Sequence, residues 1–237
     1  MNPFTVIVVA AGKGTRFGIN TPKILQDLEG KPVLIRTLES LQHSPIVKDI
    51  VLVTSVELLE KCQELVESHE MTKVIHIIPG GKERQHSVWE GIKMVPESTE
   101  FVAIQDGARP FISTGMLADC RNALADADGA IIGTKIYDTL KEVDEYRHIL
   151  RTIPREALWA VQTPQCFRLS TIKMAYEMSH EHQWAVTDDA SLLEKIGKKA
   201  VIVPGPAENI KITTPDDLKL ACWIYRQQQA SGRGENN

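Results

Sequence analysis

Three clusters of glycine, cation and carboxylate carry the chemistry that this chain's residue types permit. The first is Gly12-Lys13-Gly14-Thr15-Arg16, followed shortly by Pro22-Lys23. Glycines let backbone N–H groups turn toward an anion at close range. Arg16 and Lys23 add full positive charge, which suits a triphosphate better than a weakly charged ligand. The second is Asp106-Gly107-Ala108-Arg109-Pro110. A carboxylate beside a polyphosphate is a natural Mg²⁺ ligand, because that hard cation prefers oxygen and bridges protein to phosphate. Arg109 has two readings, forking onto a phosphate or pairing with Asp106. The third is Gly80-Gly81 with Arg84 and Ser87, a polar turn opening a helix. Lys211, far along the chain, supplies a further cation. No general base stands out. A phosphomonoester needs none, because its second ionisation near ~6 leaves a nucleophilic oxygen at neutral pH. Such a reaction depends on positioning and charge neutralisation.

These clusters need elements that bring them together. Residues 5–11 form a continuous apolar run, as in a parallel strand buried on both faces. Further strand-like runs cover 49–54, 73–78, 101–105 and 129–134, alternating with helical patterns at 57–68, 84–95 and 114–126. Pro32 suits the first turn of a helix that carries Leu34, Leu38 and Leu41 on one face. The alternation predicts an α/β domain with a mostly parallel sheet and helices on both faces. In such sheets ligands collect at the carboxyl ends of strands. Gly12 to Arg16, Gly80 to Arg84 and Asp106 to Arg109 all fall there. The rhythm breaks over 135–157, where polar and apolar residues alternate on either side of Asp144-Glu145-Tyr146-Arg147-His148. That predicts an antiparallel hairpin, and one so poor in apolar residues needs a partner subunit to pack on. A strand near 158–162, helices near 170–182 and 188–197, short strands at 200–203 and 209–213, and a helix from Pro215 complete the pattern. One domain is expected over 1–230, with 231–237 a flexible polar tail.

Composition narrows the function classes. The 237 residues carry a net charge of −4, which disfavours general nucleic-acid binding. No apolar run reaches a membrane span and the N-terminus lacks a signal-peptide pattern, so a cytoplasmic location is expected. Cys62, Cys120, Cys166 and Cys222 are scattered without a CxxC pair, and fit a reducing setting.

Each motif also has a plainer reading. The first loop lacks the third glycine of GxGxxG, having Phe17 there, and matches no GxxxxGK[ST] pattern. A tight strand-to-helix turn would explain its glycines, but not the flanking Arg16 and Lys23. Asp106 has the alternative of a turn cap. Glu83 and Ser87 suit an ordinary first helical turn, and Thr187 before Asp188-Asp189 suits an N-cap. His180 and His182 read as a solvated helix end, and Cys166 as packing.

Taken as an ordered set, these motifs closely resemble the 2-C-methyl-D-erythritol 4-phosphate cytidylyltransferase family. The resemblance rests on Ala10 to Arg16, Pro22-Lys23, Gly80-Gly81 with Arg84 and Ser87, Asp106 to Pro110, Asp138 to Lys141, Thr163 to Gln165, Thr187 to Asp189 and Asn209 to Lys211. It implies a Rossmann-like domain that joins CTP to methylerythritol phosphate with a divalent metal, releasing pyrophosphate. By motif position, Arg16 and Lys23 would neutralise the triphosphate, Lys211 the five-coordinate α-phosphate, and Asp106 would serve metal and substrate. Ala10, Ala11, Gly12, Gly14, Gly81 and Ser87 would complete the CTP site. The family's homodimer implies that Thr139 and Arg155, on the hairpin arm, help hold methylerythritol phosphate in the neighbouring subunit, alongside Arg109 and Thr187. Two positions depart from the family's habit: Val9 where proline is frequent, and Gly107 where alanine is. Ribitol-5-phosphate cytidylyltransferases share several of these motifs, and a non-catalytic nucleotide sensor would share the fold. The Ala-Ala-Gly opening, Asp138 to Lys141 and Thr187 to Asp189 favour methylerythritol phosphate, and the full set of cations favours catalysis.

Overall fold

A computed structural model describes residues 2–12 and 22–232. Its strands and helices follow the hydrophobic pattern. Strand β1 (Phe4–Val9) is a run of apolar residues whose alternate side chains enter opposite layers, as the two-residue strand period requires. A single 3-10 turn at Lys23–Leu25 leads to a two-residue ribbon, β2 (Asp27–Leu28) with β3 (Lys31–Pro32). Helix α1 (Val33–His43) then buries Leu34, Leu38 and Leu41 at i, i+4 and i+7 spacing. Pro32 stands immediately before its first residue.

The chain continues through β4 (Val47–Thr54), α2 (Leu59–Ser68), β5 (Val74–Pro79), α3 (Arg84–Lys93), β6 (Phe101–Asp106), α4 (Thr114–Ala123) and β7 (Gly129–Lys135). The arm follows, β8 (Leu140–Val143) paired antiparallel with β9 (Ile149–Ile153). Then come β10 (Trp159–Arg168), α5 (Leu169–Glu181), α6 (Ala190–Lys195), β11 (Ala200–Pro204) and α7 (Pro215–Ala230). Among the described residues the main sheet has the order β11-β7-β10-β6-β1-β4-β5. All its neighbours pair in parallel except β10, which is antiparallel to both β6 and β7.

One hydrophobic layer packs α1, α2 and α4 on one face of this sheet, and another packs α3, α5 and α6 on the other. A smaller cluster of Leu28, Val33, Phe111, Ile212, Ala221 and Ile224 seats α7. That helix starts with a reciprocal cap: Asp217 N donates to Thr214 Oγ1 at 3.2 Å, and Thr214 N to Asp217 Oδ2 at 2.8 Å.

Three expectations need correction. The strand expected to end near 162 runs on to Arg168, because its pairing with β7 shifts register between Val161 and Gln165 and resumes beyond Pro164. No strand forms over 209–213, whose polar groups are tied to loops; Ile212 N donates to Ala108 O at 2.9 Å. Thr187 is not the N-cap of α6: Asp188 Oδ1 accepts from Ser191 N at 3.2 Å instead. The tail expected over 231–237 lies outside the described residues from 233 onward.

The loop after β6 is held from beneath by α1. Thr37 is fully buried, and its hydroxyl donates to Gly107 O at 3.0 Å; Ser40 Oγ donates to Pro110 O at 3.3 Å. Thr37→Val keeps the volume but strands a buried carbonyl. It should lower the urea-unfolding free energy by about 1–3 kcal/mol. An unchanged midpoint would show that this tether contributes nothing.

Candidate active site

A cleft of about 980 Å³ opens where β1, β5 and β6 end. Its walls come from strand ends and from the turns that leave them. Ala10 and Ala11 follow β1; Ala10 is buried, and its N–H donates to Val53 O at 2.7 Å. Gly80 and Gly81 follow β5 and precede α3. An added Cβ on Gly80 would lie 2.6 Å from Ala11 Cβ and 2.6 Å from Ser87 Oγ, so only glycine fits between them. Ser87 is buried; its hydroxyl accepts from Gly81 N at 3.2 Å and donates to Glu83 O at 3.1 Å.

Asp106 is the electrostatic centre. It ends β6, is only 6 % exposed, and its N–H donates to Thr163 Oγ1 at 3.1 Å. Three cations converge on its carboxylate. Lys211 Nζ lies 2.7 Å from Oδ2, Arg109 Nε 3.5 Å from Oδ2, and Arg84 Nε 3.4 Å from Oδ1. Burial pushes this carboxyl up, but Lys211, Arg84 and Arg109 outweigh burial and hold it at about 2. Burial pulls the Arg109 guanidinium down by more than Asp106 restores. For Arg84 burial acts in the same direction, yet Asp189 and Asp106 overcome it and keep the group above its ordinary value. Arg84 Nη2 lies 2.8 Å from Asp189 Oδ2.

Of the residues singled out from sequence, Ala10, Ala11, Gly12, Lys23, Gly81, Ser87, Asp106 and Lys211 line this cleft. Gly14 and Arg16 lie outside the described residues. Arg109 sits behind the cleft, where Nη1 donates to Asn209 O at 2.8 Å. Thr187 is exposed and does not line it. Thr139 and Arg155 are exposed on the arm, and Arg155 donates to the carbonyl of Tyr137. Sequence reasoning quoted Arg84 as a motif residue but gave it no role, and the structure puts it on the cleft wall. The available signal was its place in the first turn of α3, directly after the glycine turn. His180 and His182 stand exposed at the end of α5, and Cys166 is fully buried.

The ion cluster has a measurable pH signature. A carboxyl lowered from 3.8 to about 2 contributes stability above its unfolded value and loses it as the pH falls through the window from about 4 to 2. The full contribution is about 2 kcal/mol, with about 1 kcal/mol gone by pH 3. Asp106→Asn removes the titrating group while leaving its three cations. The stability gap between wild type and variant in urea should therefore narrow by about 1 kcal/mol between pH 7 and pH 3. A gap independent of pH would rule out the ion cluster as described.

Comparison with known proteins fits this geometry. Residues 4–227 match the family model described as IspD, 2-C-methyl-D-erythritol 4-phosphate cytidylyltransferase. A protein of that name from Geotalea uraniireducens is 42 % identical over 220 residues, spanning 92 % of this chain and 94 % of its own. Another, from Caldanaerobacter subterraneus, is 39 % identical over 224 residues, spanning 94 % of this chain and 99 % of its own. The fold superimposes on the crystal structure of 4-diphosphocytidyl-2C-methyl-D-erythritol synthase from Anaerococcus prevotii with a TM-score of 0.82, at 30 % identity, covering 95 % of this chain and 99 % of that one. The chain belongs to the 2-C-methyl-D-erythritol 4-phosphate cytidylyltransferase family.

Proposed function

We propose that this protein transfers a cytidylyl group from CTP to 2-C-methyl-D-erythritol 4-phosphate, releasing pyrophosphate, as a step of isoprenoid-precursor synthesis. The observation that carries the chemistry is the meeting of Lys211, Arg84 and Arg109 on one buried carboxylate beside a cleft walled by glycine turns. The base lies against Ala10, Ala11, Gly81 and Ser87, and the triphosphate runs toward Lys23, with Gly12, Gly14 and Arg16 completing its cradle. Methylerythritol phosphate attacks the α-phosphorus in line through an oxygen that is already ionised. Lys211 stabilises the charge that builds on the five-coordinate phosphorus, while Arg16 and Lys23 neutralise the departing pyrophosphate.

The donor set suits a divalent ion of the Mg²⁺ class. Asp106 offers one hard oxygen ligand on the cleft wall, and no group of three or more His, Cys, Asp or Glu occurs among the described residues that could form a protein cage. Mg²⁺ binds through one or two carboxylates with water and phosphate oxygens completing the octahedron. Asp106 would hold the ion, which when bound supplies charge neutralisation across the phosphates. No helix among the described residues is long and apolar enough to cross a membrane; we assign the protein to the cytoplasm.

The arm supports a homodimer reading. Tyr137, Tyr146, Ile149 and Leu150 are all at least 60 % exposed on it, apolar area that a second subunit would cover. Residues 1–230 then act as one nucleotidyltransferase domain whose 135–157 arm serves the neighbouring site. There Thr139 and Arg155 contact the alcohol phosphate, with Arg109 and Thr187 from the first subunit.

Pyrophosphate release from CTP and Mg²⁺ with each alcohol phosphate checks the substrate. Methylerythritol phosphate should turn over far faster than ribitol 5-phosphate, and the opposite order would end the assignment. In the same assay Lys23→Ala and Lys211→Ala should each lose ~10²–10³ in turnover with the fold retained. Arg155→Ala should raise KM for the alcohol phosphate more than for CTP. Mixing Arg155→Ala and Lys23→Ala chains should restore activity in mixed dimers, since one site then holds an intact Lys23 and an intact arm. No rescue in confirmed mixed dimers would refute the shared site.

A further inference from the structure

Arg84 is a cation with two masters. Its Nε faces Asp106 on the cleft wall, and its Nη2 faces Asp189 behind it. The two carboxylates differ in their surroundings. Asp106 is approached by Lys211 and Arg109 as well, whereas Arg84 is the cation paired with Asp189 among the described residues. Asp189 is fully buried, and it is fixed from both its side chain and its backbone. Tyr176 Oη donates to Asp189 Oδ1 at 2.6 Å. Burial pushes the Tyr176 phenol well above its usual range, and the adjacent Asp189 carboxylate adds to the effect, so the hydroxyl keeps its proton. The Tyr176 ring stacks on Trp89 at 6.0 Å between centroids and 10° between planes, which ties it to α3, the helix that carries Arg84. Asp189 N and Ala190 N both donate to Gln165 Oε1 at 3.1 Å, and Gln165 Nε2 donates to Asp188 Oδ2 at 3.0 Å.

We propose that Asp189, oriented by Tyr176, is the positioning residue that holds Arg84 in the nucleotide cleft. A guanidinium fixed from behind by a buried carboxylate presents its remaining donors at a set angle, with little rotamer entropy left to lose on binding. It also keeps its counter-ion when Asp106 engages other cations. Asp189 and Tyr176 touch no substrate and act only through Arg84. Nothing in the local sequence shows this, since Asp189 reads as the start of α6 and Tyr176 as a core residue of α5. The inference rests on the reading of the cleft as a CTP site.

The test is a double-mutant cycle on CTP affinity, measured by titration calorimetry with Mg²⁺ on the full chain. Tyr176→Phe and Asp189→Asn are each made in the wild-type and Arg84→Gln backgrounds. Asp189→Asn removes the charge that pairs with Arg84 and should raise the CTP Kd by about tenfold, the scale on which a residue acting through another modulates binding, and Tyr176→Phe by a smaller factor. In the Arg84→Gln background both effects should vanish, because the residue they act through is gone. If Asp189→Asn fails to fold, the Tyr176→Phe cycle alone gives the answer. Equal fold-changes in both backgrounds, or an unchanged Kd for Tyr176→Phe in the wild type, would overturn the proposal. Wild-type protein that fails to bind CTP would overturn the nucleotide reading and this proposal with it, whereas wild-type binding with additive mutants overturns this proposal alone.

Discussion

Asp106 is a carboxylate taken out of water at the end of a buried strand, which is costly unless the charge is met by partners of good geometry. The structure meets it with three. Lys211, Arg109 and Arg84 lie within 2.7–3.5 Å, and they hold it ionised at a pKa of about 2 despite burial. Two of the cations that stabilise Asp106, Lys211 and Arg84, also line the cleft, where the proposed function puts the polyphosphate. One arrangement therefore answers two demands: it makes the buried carboxylate tolerable and concentrates positive charge in a protein whose net charge is −4.

Convergence on Asp106 requires distant segments to be fixed relative to one another, and polar bonds among loops do this. Asn209 is fully buried; its Nδ2 donates to Gln162 Oε1 and to Thr163 O, both at 2.9 Å, and its carbonyl accepts from Arg109. Thr163 in turn accepts from the Asp106 amide. Gln105 Nε2 donates to Arg109 O at 3.1 Å. The segment carrying Lys211 is thus anchored to β10, to the loop after β6 and, through Ile212, to Ala108. These bonds fix the segment by side chains and loop backbone, so 209–213 needs no strand of its own, although Gln105 Oε1, Arg109 Nε and Asn209 Oδ1 are buried without a hydrogen-bond partner.

How much of this was legible follows from the range of the interactions. Local signals were sufficient for β1, β4 and β6, because a continuous apolar run bounded by polar or turn residues reports a buried strand. They also located Asp106, Lys23, Ser87 and Lys211 on what proved to be one cleft, since the carboxyl ends of parallel strands share an edge. The direction of β10 escaped, although the clue was present: a hairpin arm inserted between two strands returns the chain antiparallel beside the first. Thr163-Pro164 hid the second half of that strand, because proline lacks the donor that a central strand uses. The link from Tyr176 through Asp189 to Arg84 had no local signature. Its members come from α5, the start of α6 and α3, and only packing on one face of the sheet brings them together.

The two halves of the cleft use different materials, a division that suits the proposed nucleotide. One wall carries long cations, Lys23, Arg84 and Lys211, the groups that would meet the triphosphate of the proposed substrate. On the other side the groups are backbone and short side chains: Ala10, Ala11, Gly80, Gly81 and Ser87. Gly80 is clamped between Ala11 and Ser87 with no room for a methyl group, and Ser87 is bonded on both sides, to Gly81 N and Glu83 O. A wall built this way cannot re-pack around a larger ring, because its atoms belong to the main chain or to side chains without rotamers to spare. In the proposed CTP site, discrimination by size and by backbone hydrogen bonding would fall to this wall, and charge stabilisation to the cationic one. Neither task limits the residues available for the other.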